Sequence, residues 1–315
     1  MLKFIKAPTA IILVVLCFVL SSCKNDGTSD NASLFKGQPQ LININTEYTK
    51  SPNVATANKL LKEMTNIIGQ NKLSDSELKA YLEYGLDVSS TQNITSRQAG
   101  FLMSLIKEDF GNKNTASRLF NLSSIMAKMK KTTVSNTLVK GLLKNFPNFE
   151  KADQAKALLT EDIQDVNEYV VSLGKKIFEN PDNTGINRFA SLAYVDACEA
   201  FALSHPKDAN APDYLFKAAE VAKSLRTFPK SLTLYDWIIE EYPDFEKAGT
   251  ALFLKGFIIE NNLGDDEKAR EIYNEFLKKY PKHDLADDVQ FLIENLGKSD
   301  EEILKMIESK QKENQ

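Results

Sequence analysis

The sequence predicts an all-α protein, an α-solenoid of antiparallel helix pairs. Three observations carry that expectation. Pro206, Pro243 and Pro281 each have an alanine five residues on (Ala211, Ala248, Ala286) and a phenylalanine ten residues on (Phe216, Phe253, Phe291). These prolines stand 37 and 38 residues apart, the period of a stacked helical repeat. Glycine (13 residues) and proline (10 residues) are sparse, and both fall mainly between runs with helical apolar spacing. Finally, those runs are joined by short polar loops, and consecutive helices joined that way stack antiparallel.

The chain opens on a leader. Lys3 and Lys6 give a positive start, and Ala10 to Leu20 is an uncharged, mostly aliphatic run. That run is too short for a membrane-spanning helix, which needs about 20 residues, and fits a secretory signal. It ends in Leu20-Ser21-Ser22-Cys23, which resembles the bacterial lipoprotein signal. The resemblance implies cleavage before Cys23, acylation of Cys23 and a firm membrane anchor. Lys24, in place of an aspartate, implies the outer membrane by the same resemblance and leaves both of its faces open. With Cys17 in the leader and Cys23 acylated, only Cys198 remains, so no internal disulfide is expected. Cys198 lies in a helical pattern and reads as a small buried apolar residue.

Residues 23–50 are rich in Asn, Ser, Thr, Gly and Asp and read as a lipidated flexible tether. The alternation Leu41-Ile42-Asn43-Ile44-Asn45 leaves room for a short docked strand. From residue 51 the helical signals begin. Leu60, Leu61, Met64, Ile67 and Ile68 share one face and stop near Gly69. Ser74 with Glu77, and Thr95 with Gln98, have the spacing of capping boxes for the next two helices. Gly111 suits the position past a helix end, and further helices are expected over about 115–129 and 133–145. Pro147 with Ala152 repeats two marks of the C-terminal pattern, but residue 157 is Ala157, and Pro181 breaks the pattern altogether. Residues 51–160 are therefore degenerate repeats or a separate helical domain, with the repeat domain over 161–315.

The best-marked unit runs from Lys247 to Pro281. Gly256 and Ala269 are its small residues, and Tyr273, Phe276 and Tyr280 its large ones. This resembles a tetratricopeptide repeat. In that family small residues mark where the two helices of a pair touch, and large residues fill the space beside them. The preceding unit places Ala219, Ser231, Tyr235 and Ile238 at the matching sites. Lys255 stands where the family has a leucine, and the loop is one residue longer than usual. Ser299 with Glu302 begins an expected C-terminal capping helix. The Tyr242-Pro243 and Tyr280-Pro281 endings resemble repeats of envelope proteins of the BamD and YbgF type. That resemblance implies a non-catalytic scaffold binding other envelope proteins, in outer-membrane protein assembly or envelope maintenance. Two alternatives stay open: a SusD-like glycan-binding lipoprotein, and an adaptor for cell-wall enzymes.

Composition excludes other classes. The chain carries a formal charge of −4, with no basic face, so nucleic acid is not an expected partner. His205 and His283 are the two histidines, both beside prolines in expected loops, and no metal spacing exists. No phosphate loop or nucleophile elbow occurs, and no cofactor is implied. The adjacent acidic pairs, such as Glu240-Glu241, point about 100° apart on a helix and do not converge. Trp237 reads as core. In tetratricopeptide arrays the first helix of each pair lines a groove. The candidate binding groove is therefore Phe216, Phe253, Phe257 and Phe291, flanked by Glu220, Lys223, Glu260, Asn261, Asn295 and Lys298. The competing reading makes these rings inter-repeat core, and their exposure separates the two.

Overall fold

A computed structural model describes residues 34–70, 72–183, 185–298 and 301–302. The leader and Cys23 lie outside the described residues, and so does the capping helix expected from Ser299 apart from residues 301–302, which are helical. Among those described, fourteen α-helices and one π-helical turn are present, and no strand. Two compact units are distinguished, one ending at Lys72 and one beginning at Leu73.

The first unit contains α1 (Pro39–Lys50) and α2 (Val54–Ile68), packed together. Here the expected tether is corrected: from Pro39 onward it is helix. Leu41, Ile44, Asn45 and Tyr48 are buried, and their spacing of three, one and three is helical. The apparent alternation at 41–45 is the edge of that stripe, so no strand forms. Asn53 caps α2 through Ala55 N–H (2.9 Å) and Thr56 N–H (3.1 Å), and Leu60, Leu61 and Met64 are buried.

The second unit runs through α3 (Asp75–Thr91), α4 (Thr95–Glu108), α5 (Thr115–Lys128), α6 (Thr132–Asn145), the short α7 (Ala152–Lys156) and α8 (Val166–Lys176). It continues with α9 (Arg188–Ser204), α10 (Ala211–Ser224), α11 (Phe228–Glu241), α12 (Ala248–Ile258), α13 (Asp266–Lys279) and α14 (Ala286–Asn295). α3 packs on α4, α5 on α6, α10 on α11 and α12 on α13, and successive pairs touch one another, as in a helical-repeat solenoid. A single core cluster extends from Ala99 to Ile258, so packing is continuous across residue 160, where a domain boundary was expected.

Local signals explain most helix ends. Ser74 N–H donates to Glu77 Oε2 (2.9 Å) and Glu77 N–H to Ser74 Oγ (3.4 Å), the expected box. The Thr95–Gln98 box does not form. Ile94 is the capping residue, and Gln98 Nε2 donates to Ser90 Oγ instead (3.0 Å). Past Ala152 the repeat marks run out, and α7 spans five residues. Side-chain bonds take over: Asn136 of α6 binds Thr160 N–H (3.1 Å), and its Nδ2 reaches Glu161 (3.1 Å).

α9 has no single apolar face. Ser191, Tyr194, Val195 and every residue from Ala197 to Ser204 are buried, as a helix enclosed on several sides requires. Its neighbours are α4, α6, α8 and α10. Ala197, Cys198, Ala200, Ala202 and Ser204 keep it thin enough to fit. Phe201 is fully buried, edge-on to Tyr214 at 4.9 Å, and its burial contributes roughly 2–3 kcal/mol. Burial pushes the Cys198 thiol up to about 12, consistent with a packing role.

Candidate functional site

The repeat register is visible in three dimensions. Phe216, Phe253 and Phe291 are each the sixth residue of their helix, α10, α12 and α14. Small residues set the spacing inside each pair. Ser231 Oγ donates to the Ala219 carbonyl (2.9 Å), tying α11 to α10. In the next pair, a Cβ on Gly256 would lie 2.6 Å from Tyr273 Cε1, so only glycine allows that crossing. Ala269, Tyr273 and Phe276 are fully buried beside it. Lys255, where a leucine is usual, makes an ion pair with Asp236 at 2.6 Å.

The additional residue of this unit forms a π turn, Ile259–Leu263, that extends α12 and closes on Gly264 at φ +68°. Glu260 is thereby placed to accept from Tyr273 Oη at 2.6 Å. In the preceding pair Tyr235 Oη donates to Glu220. Both phenols are pushed up, first by burial and then by the carboxylate each one binds.

The four candidate rings divide. Phe216 is half-buried, with Tyr235 at 5.9 Å, Phe245 at 6.5 Å and the Lys247 ammonium 5.5 Å above it. Lys247 also bonds Asp213 at 3.0 Å, so it fastens the start of α12 to α10. Burial opposes ionisation of Asp213, but Lys217 and Lys247 outweigh it and hold the carboxyl below its ordinary range. Phe253 is half-buried against Phe257 (6.0 Å), Tyr273 (6.3 Å) and Phe276 (6.4 Å). Phe257 is 39 % exposed and Phe291 47 %. The ladder is thus part of the packing at Phe216 and open to solvent at its C-terminal end.

Most flanking polar residues are engaged locally. Lys223 Nζ bonds Glu220 at 3.2 Å. Asn261 Nδ2 donates to the Phe257 carbonyl (3.2 Å) and Asn295 Nδ2 to the Phe291 carbonyl (2.8 Å). Lys298 Nζ reaches Asn295 Oδ1 at 3.3 Å.

The histidines differ from expectation. His205 is buried in place of being a solvated loop residue, because α6 crosses α9 at Gly141 and covers it. Its ring stacks on Phe201 at 4.6 Å. Ser204 O–H donates to the Ala200 carbonyl (2.7 Å), so Ser204 Oγ accepts from His205 Nδ1–H (3.0 Å). Nε2 then carries the lone pair, and it has no hydrogen-bond partner. His283 is half-buried, and its Nδ1 accepts from Leu285 N–H (3.1 Å). Trp237 is buried, with the Lys107 ammonium 5.3 Å from its ring. Among the described residues no group of three or more His, Cys, Asp or Glu could hold a metal ion. None of the described helices is long and apolar enough to cross a membrane.

Residues 250–283 match the family model of the tetratricopeptide repeat. That segment spans α12 almost entirely, the π turn and α13, the pair in which small and large residues alternate most clearly. No curated protein matches the chain. A repeat of this family suggests a protein-interaction scaffold.

Proposed function

We propose that the protein is a non-catalytic scaffold, acylated at Cys23 and held at the outer membrane, that binds another envelope protein through its helical-repeat surface. Outer-membrane protein assembly or envelope maintenance is the setting that its resemblance to BamD-type and YbgF-type repeats supports. The observation that carries the binding role is the exposure of Phe257, inside the matched tetratricopeptide repeat, and of Phe291 on the helix that follows it. Exposed aromatics of this kind are the usual anchors of an interface.

Both rings are partly exposed, and Phe257 also packs on Phe253 at 6.0 Å. Phe257→Ala with Phe291→Ala therefore lowers stability by about 2–3 kcal/mol and leaves the helices formed, as circular dichroism at the capture temperature checks. It weakens capture of the partner crosslinked in intact cells by roughly thirtyfold, the equivalent of about 2 kcal/mol. Undiminished capture would remove this surface from consideration. The anchor has its own check, since mass spectrometry of the mature N-terminus should find Cys23 acylated and the first 22 residues gone. An N-terminus without acyl chains refutes the anchoring.

A further inference from the structure

The most exposed large apolar side chains of the second unit lie away from the ladder, on the α8–α9 turn. Phe189 is 85 % exposed and Phe178 70 %, with Val171 and Leu192 as partly exposed shoulders on the two helices. Hydrogen bonds tie the described residues of the turn together. Asn187 N–H donates to the Ile177 carbonyl (2.7 Å), and Asn187 Nδ2 to the Glu179 carbonyl (3.1 Å), which brings the segment around Phe178 beside the start of α9, where Phe189 lies. Asp182 N–H donates to the Ile186 carbonyl (3.0 Å), closing the tip. Two aromatic rings held in water by a hydrogen-bonded turn oppose solubility unless something covers them.

We propose that this turn is a membrane wedge that inserts Phe178 and Phe189 into the interfacial layer of the bilayer. From Lys175 to Asp182 every residue except Ile177 is exposed, so the tip is convex. A convex tip offers no concavity for a partner's side chains, whereas a bilayer accepts a protruding apolar group. Lys175, Lys176 and Arg188 flank the rings and are exposed, and none of them pairs with an acidic side chain among the described residues, so they are available to lipid phosphates. Glu179 and Asp182 offset two of those charges, so insertion is driven mainly by apolar contact and responds weakly to salt. The wedge rests on the anchored reading only for bringing the chain to a membrane.

The test uses the mature full-length protein with Phe189→Trp, and separately Phe178→Trp. The probe is vesicles of phosphatidylethanolamine and phosphatidylglycerol with brominated acyl chains. Trp237, the one native tryptophan, is buried and serves as the unquenched control in the parent protein. Insertion predicts a blue-shifted emission and about twofold or greater quenching in both variants, little changed by salt. Both substitutions replace exposed rings, and circular dichroism confirms the helices. A reporter that keeps the emission of a water-exposed indole at saturating lipid overturns the wedge. So does one buried only on addition of a protein extract, which would assign the turn to a protein contact. Mass spectrometry of the same preparation reads the acylation of Cys23, so a failed anchor and a failed wedge leave different records.

Discussion

Gly141→Ala lowers the stability of the protein by about 3 kcal/mol, at the upper end of what overpacking a tight core costs. A Cβ there would lie 2.4 Å from both Cβ and Oγ of Ser204 and 2.9 Å from His205 Cε1. None of these is the end of a long flexible chain. Ser204 is fully buried on α9, which is enclosed by other helices and has no free direction in which to retreat. Asn145 Nδ2 also bonds the carbonyls of Gly141 (3.1 Å) and Ser204 (2.9 Å), holding the two backbones together. Thermal melts check the effect, as a fall in Tm of roughly 5 °C for a chain of this size. The companion change Ser204→Gly removes the two nearest atoms, leaves the His205 Cε1 contact, and takes away the acceptor of His205 Nδ1–H. It should restore only part of the loss, because an orphaned buried donor costs about 1–3 kcal/mol and one glycine about 1 kcal/mol of helix propensity. A Gly141→Ala protein as stable as the parent refutes the close crossing of α6 and α9.

His205 makes stability depend on pH. Burial pushes its pKa down to about 4, and the nearby charge of Lys144 pushes the same way. In the unfolded chain a histidine titrates near its ordinary value of about 6.5. Between those two values the unfolded chain takes up a proton that the folded chain refuses. The contribution is therefore fully present above pH 6.5 and is lost as pH falls toward 4, by up to about 3 kcal/mol. The groups around the ring are Lys140 and Lys144 of α6, Asp165 ahead of α8, and Lys207 and Asp208 after α9. The two aspartates oppose the shift, and burial outweighs them. His205→Phe keeps the ring stacked on Phe201 and removes the titration. Urea midpoints measured from pH 7.5 to 4 should fall less steeply for the variant than for the parent. Equal slopes would mean that His205 takes up its proton in the folded state as readily as in water.

The parts of the fold legible in the sequence are those decided locally. The expected helices over 115–129 and 133–145 lie within a residue or so of Thr115–Lys128 and Thr132–Asn145. Ser74 with Glu77 marks a true helix start, because both partners lie within one turn. The repeat marks after Pro206, Pro243 and Pro281 each begin a helix at the alanine. The errors are non-local or compositional. α1 was hidden by its Asn and Thr content, although Leu41, Ile44 and Tyr48 carried its period. Thr95 has a suitable partner three residues on, but Ser90 on the preceding helix attracts the Gln98 amide. The burial of His205 depends on α6, some sixty residues earlier in the chain, and neighbouring Pro206 suggested a loop. Exposure of Phe291 and half-burial of Phe216 differ for the same reason. The matching positions have different companions, and Phe216 has Phe245 and Lys247 over it.

The wide turn at Ile259–Leu263 has a consequence for how such a chain is lengthened. Ala269, Tyr273 and Phe276 remain fully buried although their unit carries an extra residue ahead of them. The surplus is stored as slack in the backbone at the hairpin, and nothing beyond it is rotated out of phase. Growth by single residues is thus absorbed where it occurs, and the rest of the stack is spared the 100° twist that an added helical residue would otherwise impose on every later side chain.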